Sequence, residues 1–111
     1  MINPLLWPEF PYRKLGPSID VWLPMTYWTF RDGTYRDAFK YTDESVRRLR
    51  KDLGDRGAAV HPIGGLGEGA LPADYEGFVR AARQTDSVGW SIYDADTTGT
   101  TAWRFLRDDD A

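Results

Sequence analysis

The chain has 111 residues, a length that suits one domain, and its hydrophobic fraction of 41% is ordinary for a globular protein. A net charge of −3 argues against a nucleic-acid partner, which normally meets a basic surface. No apolar run reaches the roughly 20 residues needed to cross a bilayer, and the first residues lack the basic and apolar segments of a signal peptide. We therefore predict no membrane segment and no signal peptide, and the compartment stays open.

Cysteine and histidine usage limits the chemistry further. The chain contains no Cys and one His, which removes disulfides and thiolate nucleophiles and leaves little scope for a zinc site. We predict neither a metal nor a cofactor. Five Trp and six Tyr make the chain rich in aromatic rings, and an excess of rings near strand ends suits a cleft that stacks sugars.

Residues 1–19 are predicted to form an incoming loop. They are rich in proline and aromatic residues, which favours extended and turn geometry over long helices. A short helical turn is predicted over residues 11–15, because Pro11 suits the first helical position. A freestanding domain seldom begins this way, so we expect this segment to enter the fold from an upstream part of a larger protein.

Three apolar stretches are predicted to be β-strands, over residues 20–28, 58–63 and 88–93. The first reads D-V-W-L-P-M-T-Y-W and is apolar on both faces. Runs of this kind are typical of parallel strands that are buried on both sides.

The first amphipathic pattern follows a polar and aromatic loop over residues 29–41. We predict a helix with Thr42 as its N-cap and Gly54 as its terminator. Its apolar stripe consists of Val46, Leu49 and Leu53. The basic residues on its other face are predicted to be solvated: Arg47, Arg48, Arg50 and Lys51.

A second helix is predicted from about Pro72 to about Gln84, and a short one over residues 102–106. The apolar stripe of the second helix consists of Tyr75, Phe78, Val79 and Ala82.

The alternation of strands and helices predicts an α/β fold with three parallel βα units, over residues 20–57, 58–87 and 88–107, and a tail over 108–111. Such units occur in doubly wound sheets and in closed barrels. The glycines of residues 64–69 do not fit the dinucleotide fingerprint G-x-G-x-x-G, which disfavours the doubly wound fold. A TIM barrel needs about 250 residues, so we predict a single partial (β/α)8 barrel domain.

A family resemblance agrees with this fold. The stretches D-V-W-L-P-M-T-Y-W, H-P-I-G-G-L-G and V-G-W-S-I-Y-D, in this order, resemble the last three strands of glycosyl-hydrolase-like TIM barrels of the uncharacterised bacterial, chitinase-like kind. The P-M-x-Y pattern of the sixth strand in that family corresponds to residues 24–27. The resemblance implies that Tyr93 floors a sugar site and that Asp94 follows it at the strand end. It also implies that the catalytic acid, which the family carries on its fourth strand, has no counterpart in this chain.

The candidate site residues come from the ends of the predicted strands. Asp94 is the candidate for proton transfer, because burial beside aromatic rings raises a carboxyl pKa, although capping of the next loop would equally explain it. The candidates for substrate binding are Tyr27, Trp28, Tyr93, Glu68 and Arg31.

Each of these residues also has a purely structural interpretation. Tyr27 would then be a core residue with a satisfied hydroxyl, and Trp28 would pack beneath a helix. Glu68 would be solvated and Arg31 would belong to a turn. His61, in the middle of a strand, is more typical of a core position than of a catalytic base.

The predicted function is that of a carbohydrate-binding, glycoside-hydrolase-like barrel portion that is inactive by itself, since hydrolysis generally needs two positioned carboxylates. One alternative is a phosphosugar-binding barrel enzyme that uses the glycine loop after residue 63. The other is a non-enzymatic half-barrel that self-associates through its open sheet edges.

Overall fold

The computed structural model describes residues 3–28, 31, 33–65 and 71–92. This part of the chain alternates helices and short strands in the order α1 (Tyr12–Leu15), β1 (Met25–Thr26), α2 (Ala38–Leu53), β2 (Ile63–Gly64), α3 (Pro72–Gln84) and β3 (Ser91–Ile92). A 3-10 turn over Gly16–Ser18 follows α1, and another over Gly33–Arg36 precedes α2.

The three strands form one parallel sheet in the order β1-β2-β3. Met25 is in register with Ile63, and Ile63 with Ser91. The predicted α/β class with parallel strands is therefore confirmed. The strands are shorter than predicted; in the first two stretches Pro24 and Pro62 have no N–H group for the ladder.

Both long helices pack on the same face of the sheet. Trp22 and Val60 lie in one core cluster with Val46 of α2. The ring of Trp28 lies 5.5 Å from that of Phe78 of α3, centroid to centroid. On the other face of the first stretch Val21, Leu23 and Met25 are 37 to 39% exposed, so in this chain the first strand is not buried on both sides as predicted.

Helix α2 begins one turn earlier than predicted. Asp37 is its N-cap, and its carboxylate accepts a hydrogen bond of 2.9 Å from the backbone N–H of Lys40. Asp is at least as good an N-cap as Thr, and the earlier start buries Ala38 and Tyr41. The C-terminal prediction is confirmed: Gly54 has φ of 71°, in the left-handed region that glycine adopts at helix ends.

Helix α3 has the predicted bounds. Pro72 occupies its first turn, and the carboxylate of Asp74 accepts a hydrogen bond of 2.7 Å from the backbone N–H of Leu71. Its predicted apolar stripe is buried, with Tyr75, Phe78, Val79 and Ala82 all at 6% exposure or less.

Among the described residues, the buried apolar side chains form two clusters on the helix side of the sheet. One lies between α2 and α3 and contains Trp28, Ala38, Tyr41, Tyr75, Phe78 and Val79. The other lies beneath α2 and the incoming segment and contains Tyr12, Trp22, Val46, Leu49 and Val60.

The incoming segment is anchored to both β1 and α2. The side-chain amide of Asn3 donates to the carbonyl of Met25 at 3.0 Å and to Ser45 Oγ at 2.6 Å. The carbonyl of Pro24 accepts a hydrogen bond from the backbone N–H of Ile63 in β2. Because successive carbonyls of a strand point in opposite directions, the carbonyl of Met25 points to the outer edge of the sheet, where it accepts from the Asn3 amide. The helical turn predicted over residues 11–15 is present as α1.

Arg50 departs from the predicted solvated face of α2. Its guanidinium donates to three backbone carbonyls, those of Ala58 at 3.1 Å, Asp86 at 3.4 Å and Thr85. Burial lowers the pKa of Arg50, and the nearby Asp86 opposes that shift. This side chain therefore ties α2 to the loops that lead into β2 and β3.

Candidate functional site

The candidate site is the face of the sheet opposite α2 and α3. No helix of the described residues packs on it, and we call it the helix-free face. Side chains alternate along β1, so Trp22 is 4% exposed whereas Val21 and Leu23 are each 39% exposed. Continuing this alternation through the sheet register assigns the following residues to the helix-free face: Val21, Leu23, Met25, Tyr27, His61, Ile63, Gly89 and Ser91. None of these side chains is acidic, and His61 is the one imidazole among them.

Tyr27 lies immediately beyond β1, at the carboxyl end of the strand. It is half-buried and shares its face with Met25, which is 37% exposed, as the period of two predicts. The carboxyl ends of parallel strands are the positions at which α/β proteins bind ligands. Tyr27 is therefore placed where a ligand on this face would meet it.

Trp28 points to the opposite side and is fully buried. Its ring packs edge to face against Tyr75 at 6.0 Å and lies 5.5 Å from Phe78, centroid to centroid. Packing beneath a helix is the structural role that the sequence predicts for Trp28 as the alternative to stacking on a sugar. With 0% exposure, the ring has no face open to a ligand.

Arg31 lies just after the carboxyl end of β1. Its backbone N–H donates to the carbonyl of Trp28 at 2.9 Å, which holds the residue in a turn. The side chain is half-buried, and its Nε is buried with no hydrogen-bond partner. An unsatisfied buried donor of this kind is unusual in a folded protein, and the other guanidinium nitrogens provide further N–H donors.

The remaining candidates from the sequence lie outside the described residues. These are Glu68 in the glycine-rich loop and Tyr93 and Asp94 after β3. The sugar-floor role of Tyr93 and the proton-transfer role of Asp94 stay predictions.

The helix-free face also contains a polar pair that the sequence did not single out as a pair. His61 Nε2 and Ser91 Oγ are 2.6 Å apart, and both side chains are half-buried. The period of two could have placed them on one face, but a serine in an apolar strand gives no signal of its own.

The N-terminus of α3, next to the glycine-rich loop, already has a carboxylate. Asp74 caps it and is paired with Arg36, whose guanidinium nitrogens lie 3.3 Å from both carboxylate oxygens. The pKa of the neighbouring Tyr75 is raised by burial and, to a smaller extent, by Asp74. A phosphate bound at this helix end would be repelled by Asp74, which disfavours the phosphosugar alternative.

Two clefts lie away from the carboxyl ends of the strands. One, of about 540 Å³, is at the amino ends of the first two strands and is lined by residues that include Arg13, Asp20 and Asp55. The other, of about 700 Å³, is at the C-terminal end of α2 and is lined mainly by basic side chains, among them Arg47, Lys51 and Arg56.

The described ranges lack two other features. They contain no cluster of three or more His, Asp or Glu side chains suited to hold a metal ion. None of their helices is long and apolar enough to span a membrane.

No protein-family model, curated protein or solved structure matches this chain. The functional interpretation therefore depends on the chemistry of the helix-free face and on the arrangement of the sheet.

Proposed function

We propose that this chain forms three consecutive units of a (β/α)8 barrel of the glycoside-hydrolase-like kind, and that the carboxyl end of its helix-free face binds carbohydrate. The observation that carries the proposal is the one-sided coverage of the sheet. Consecutive strands are neighbours in the order β1-β2-β3, and both long helices pack on one face. In a TIM barrel the helices form an outer ring, so the inner face of the strands has none.

The alternative α/β arrangement fits less well. A doubly wound sheet places helices on both faces and reverses its strand order at the ligand site. The described strands show neither feature. The helix-free face would then be the barrel interior, and Tyr27 would stand at the catalytic end of that interior.

Carbohydrate is the ligand class that suits this end of the sheet. Sugars present a flat apolar ring face together with hydroxyl groups, so they bind to an aromatic ring with nearby donors. Tyr27 supplies the ring and a hydroxyl, and the half-buried guanidinium group of Arg31 supplies N–H donors. From the resemblance, Tyr93, Asp94 and Glu68 would complete the wall.

Binding, and not hydrolysis, is the activity we propose for this chain by itself. Glycoside hydrolysis generally needs two carboxylates about 5 to 10 Å apart. The described positions of the helix-free face supply no carboxylate. Asp94 would provide one, and the second would have to come from another strand.

The test is calorimetric titration of the purified chain with a panel of soluble β-linked oligosaccharides, including oligomers of N-acetylglucosamine. We expect binding at millimolar or lower concentration, and Tyr27→Ala should weaken it at least about tenfold, a loss of about 1.4 kcal/mol. Trp7→Ala is the matched control, because Trp7 is an exposed ring, at 42%, that is not on the sheet. Equal affinity for the wild-type and Tyr27→Ala chains, or no binding by the panel, would refute the proposal.

A second candidate function is self-association, and a specific observation favours it. Val21, Leu23 and Met25 form a row of partly exposed apolar side chains on one face. Exposed apolar rows of this kind often mark interaction surfaces. On this interpretation the face would be covered by a second copy of the chain.

A further inference from the structure

The structure places the only histidine of the chain against a serine on the neighbouring strand. His61 lies two residues before Ile63 along the second strand stretch, and Ser91 is in register with Ile63 on β3. The two side chains meet diagonally on the helix-free face, with Nε2 and Oγ 2.6 Å apart. That distance is a short hydrogen bond between a base and a hydroxyl.

Gly89 makes this contact sterically possible. By the sheet register it lies beside His61, and a Cβ added at Gly89 would lie 3.0 Å from His61 Nδ1 and 3.2 Å from Cε1. A side chain at that position would therefore push the imidazole away. Its absence lets the ring lie against β3 and reach Ser91.

We propose that Ser91 is a nucleophile and His61 is its general base, and that the pair catalyses acyl transfer from uncharged esters. The tautomer with its proton on Nδ1 leaves Nε2 free to accept the hydroxyl proton. A nucleophile within hydrogen-bond reach of a base is the geometry that activates serine. This proposal does not depend on carbohydrate binding.

The reaction balances with water as the only co-reactant. Ser91 Oγ attacks the ester carbonyl carbon while its proton passes to His61 Nε2. The bond between that carbon and the alcohol oxygen breaks, and the alcohol leaves with the proton from His61. Water, deprotonated by His61, then attacks the acyl carbon. The bond between that carbon and Ser91 Oγ breaks, the carboxylic acid leaves, and His61 returns the proton to Oγ.

The surroundings of the pair select an apolar acyl group. Ile63 lies beside Ser91 in the register, Met25 lies beyond it, and Leu23 lies beside His61. Leu23 and Met25 are 39% and 37% exposed, so the row offers an accessible apolar surface for a short acyl chain. The assigned positions hold no Asp, Glu, Lys or Arg that could pair with a charged substrate, so neutral esters fit better than charged ones.

The experiment is labelling of the full chain with a fluorophosphonate probe, followed by peptide mapping, together with release of p-nitrophenol from its acetate and butyrate esters. We expect the probe on Ser91 and a burst of p-nitrophenol. Ser91→Ala should abolish both. His61→Gln should slow acylation by about 100-fold, within the range for removing a general base, because it retains a hydrogen-bonding group but no basicity.

Ser87→Ala is the matched control, because Ser87 is also a partly buried serine. Its Oγ lies 2.9 Å from the hydroxyl oxygen of Thr85, so its hydrogen-bond partner is a hydroxyl group where that of Ser91 is an imidazole. It should label and react as the wild type does. Gly89→Ala, which displaces the imidazole, should lower reactivity with an unchanged circular dichroism spectrum. Labelling of the wild-type chain at another residue, no labelling, or an unchanged rate in His61→Gln would each overturn the proposal.

Discussion

Gly64 of β2 lies directly beneath the indole of Trp28, so that a Cβ added at Gly64 would lie 2.9 Å from Trp28 Cζ3. The same atom would lie 2.9 Å from two ring carbons of Phe78. The rings of Trp28 and Phe78 thus fill the space between the sheet and α3 so closely that position 64 has no room for a Cβ. The glycine is required here for close packing, at a position that is also buried.

Substituting Gly64 should therefore destabilise the fold. Gly64→Ala forces the rings of Trp28 and Phe78 apart, and overpacking of this kind costs about 1 to 3 kcal/mol. Urea unfolding followed by tryptophan fluorescence would measure the loss. Gly57→Ala is the control, because its added Cβ would meet nothing closer than 3.7 Å, and its effect should stay within about 0.5 kcal/mol. Equal unfolding midpoints for the two variants would contradict the prediction.

Arg50 should matter more to stability than the neighbouring arginines of α2. Its removal in Arg50→Ala leaves the carbonyls of Ala58, Thr85 and Asp86 without their donor, and Thr85 is 4% exposed. An unsatisfied buried polar group costs about 1 to 3 kcal/mol. The free energy of unfolding from urea titration measures this loss.

The control for Arg50 is Arg47→Ala in the same helix. Arg47 pairs with Asp43 at 2.9 Å, but its side chain is 62% exposed, so the loss should be only about 0.3 to 0.5 kcal/mol. If both variants lost the same stability, the carbonyl contacts of Arg50 would contribute nothing beyond an exposed ion pair.

The sequence predicts the existence and order of these elements well, for physical reasons. Gly54 ends α2 because glycine tolerates a positive φ. Pro72 begins α3 because the first turn of a helix does not need the N–H group that proline lacks. The sequence does not predict which face of β1 is covered. Val21, Leu23 and Met25 are as apolar as the buried side chains with which they alternate, so nothing in the pattern distinguishes the two faces.

The site is predictable only where a local rule applies. The period of two along a strand predicts that Met25 and Tyr27 share a face. The contact of His61 with Ser91 depends on the register between two strands 30 residues apart and on the space left by Gly89. Likewise, a basic helix face does not reveal that Arg50 alone reaches three carbonyls of other segments.

Tyr12 should make stability fall at high pH. Burial, aided by Asp52, raises the pKa of Tyr12 to about 12 from an ordinary value of 10.0. Above pH 10 the unfolded chain loses this proton while the folded chain keeps it, so the free energy of unfolding falls with pH until about pH 12. The slope from this group should approach about 1.4 kcal/mol per pH unit, and below pH 10 the group should contribute no slope.

The measurement is urea unfolding of the wild type and of Tyr12→Phe between pH 8 and the alkaline limit of stability. Tyr12→Phe loses the hydrogen bond of 2.7 Å to the carbonyl of Trp7, which should cost about 0.5 to 1.5 kcal/mol at pH 8. In Tyr12→Phe the free energy of unfolding should fall less steeply with pH above pH 10. The fall that is left is due in part to Tyr75, whose pKa is also raised. If the free energy of unfolding fell with pH at the same rate in both chains, the pKa of Tyr12 would be the same in the folded and the unfolded state, which would contradict the prediction.

The row of apolar side chains on the helix-free face gives a prediction about association. If a second copy covers this face, sedimentation should show a dimer that dissociates on dilution. Leu23→Lys should then weaken dimerisation at least about tenfold, because an unpaired ammonium group buried in an apolar contact is costly. Leu71→Lys is the matched control, since Leu71 is 62% exposed but belongs to the start of α3 and not to the sheet. A chain that stays monomeric at every concentration, with a native circular dichroism spectrum, would refute self-association through this face and leave it open to the ester or sugar ligands proposed above.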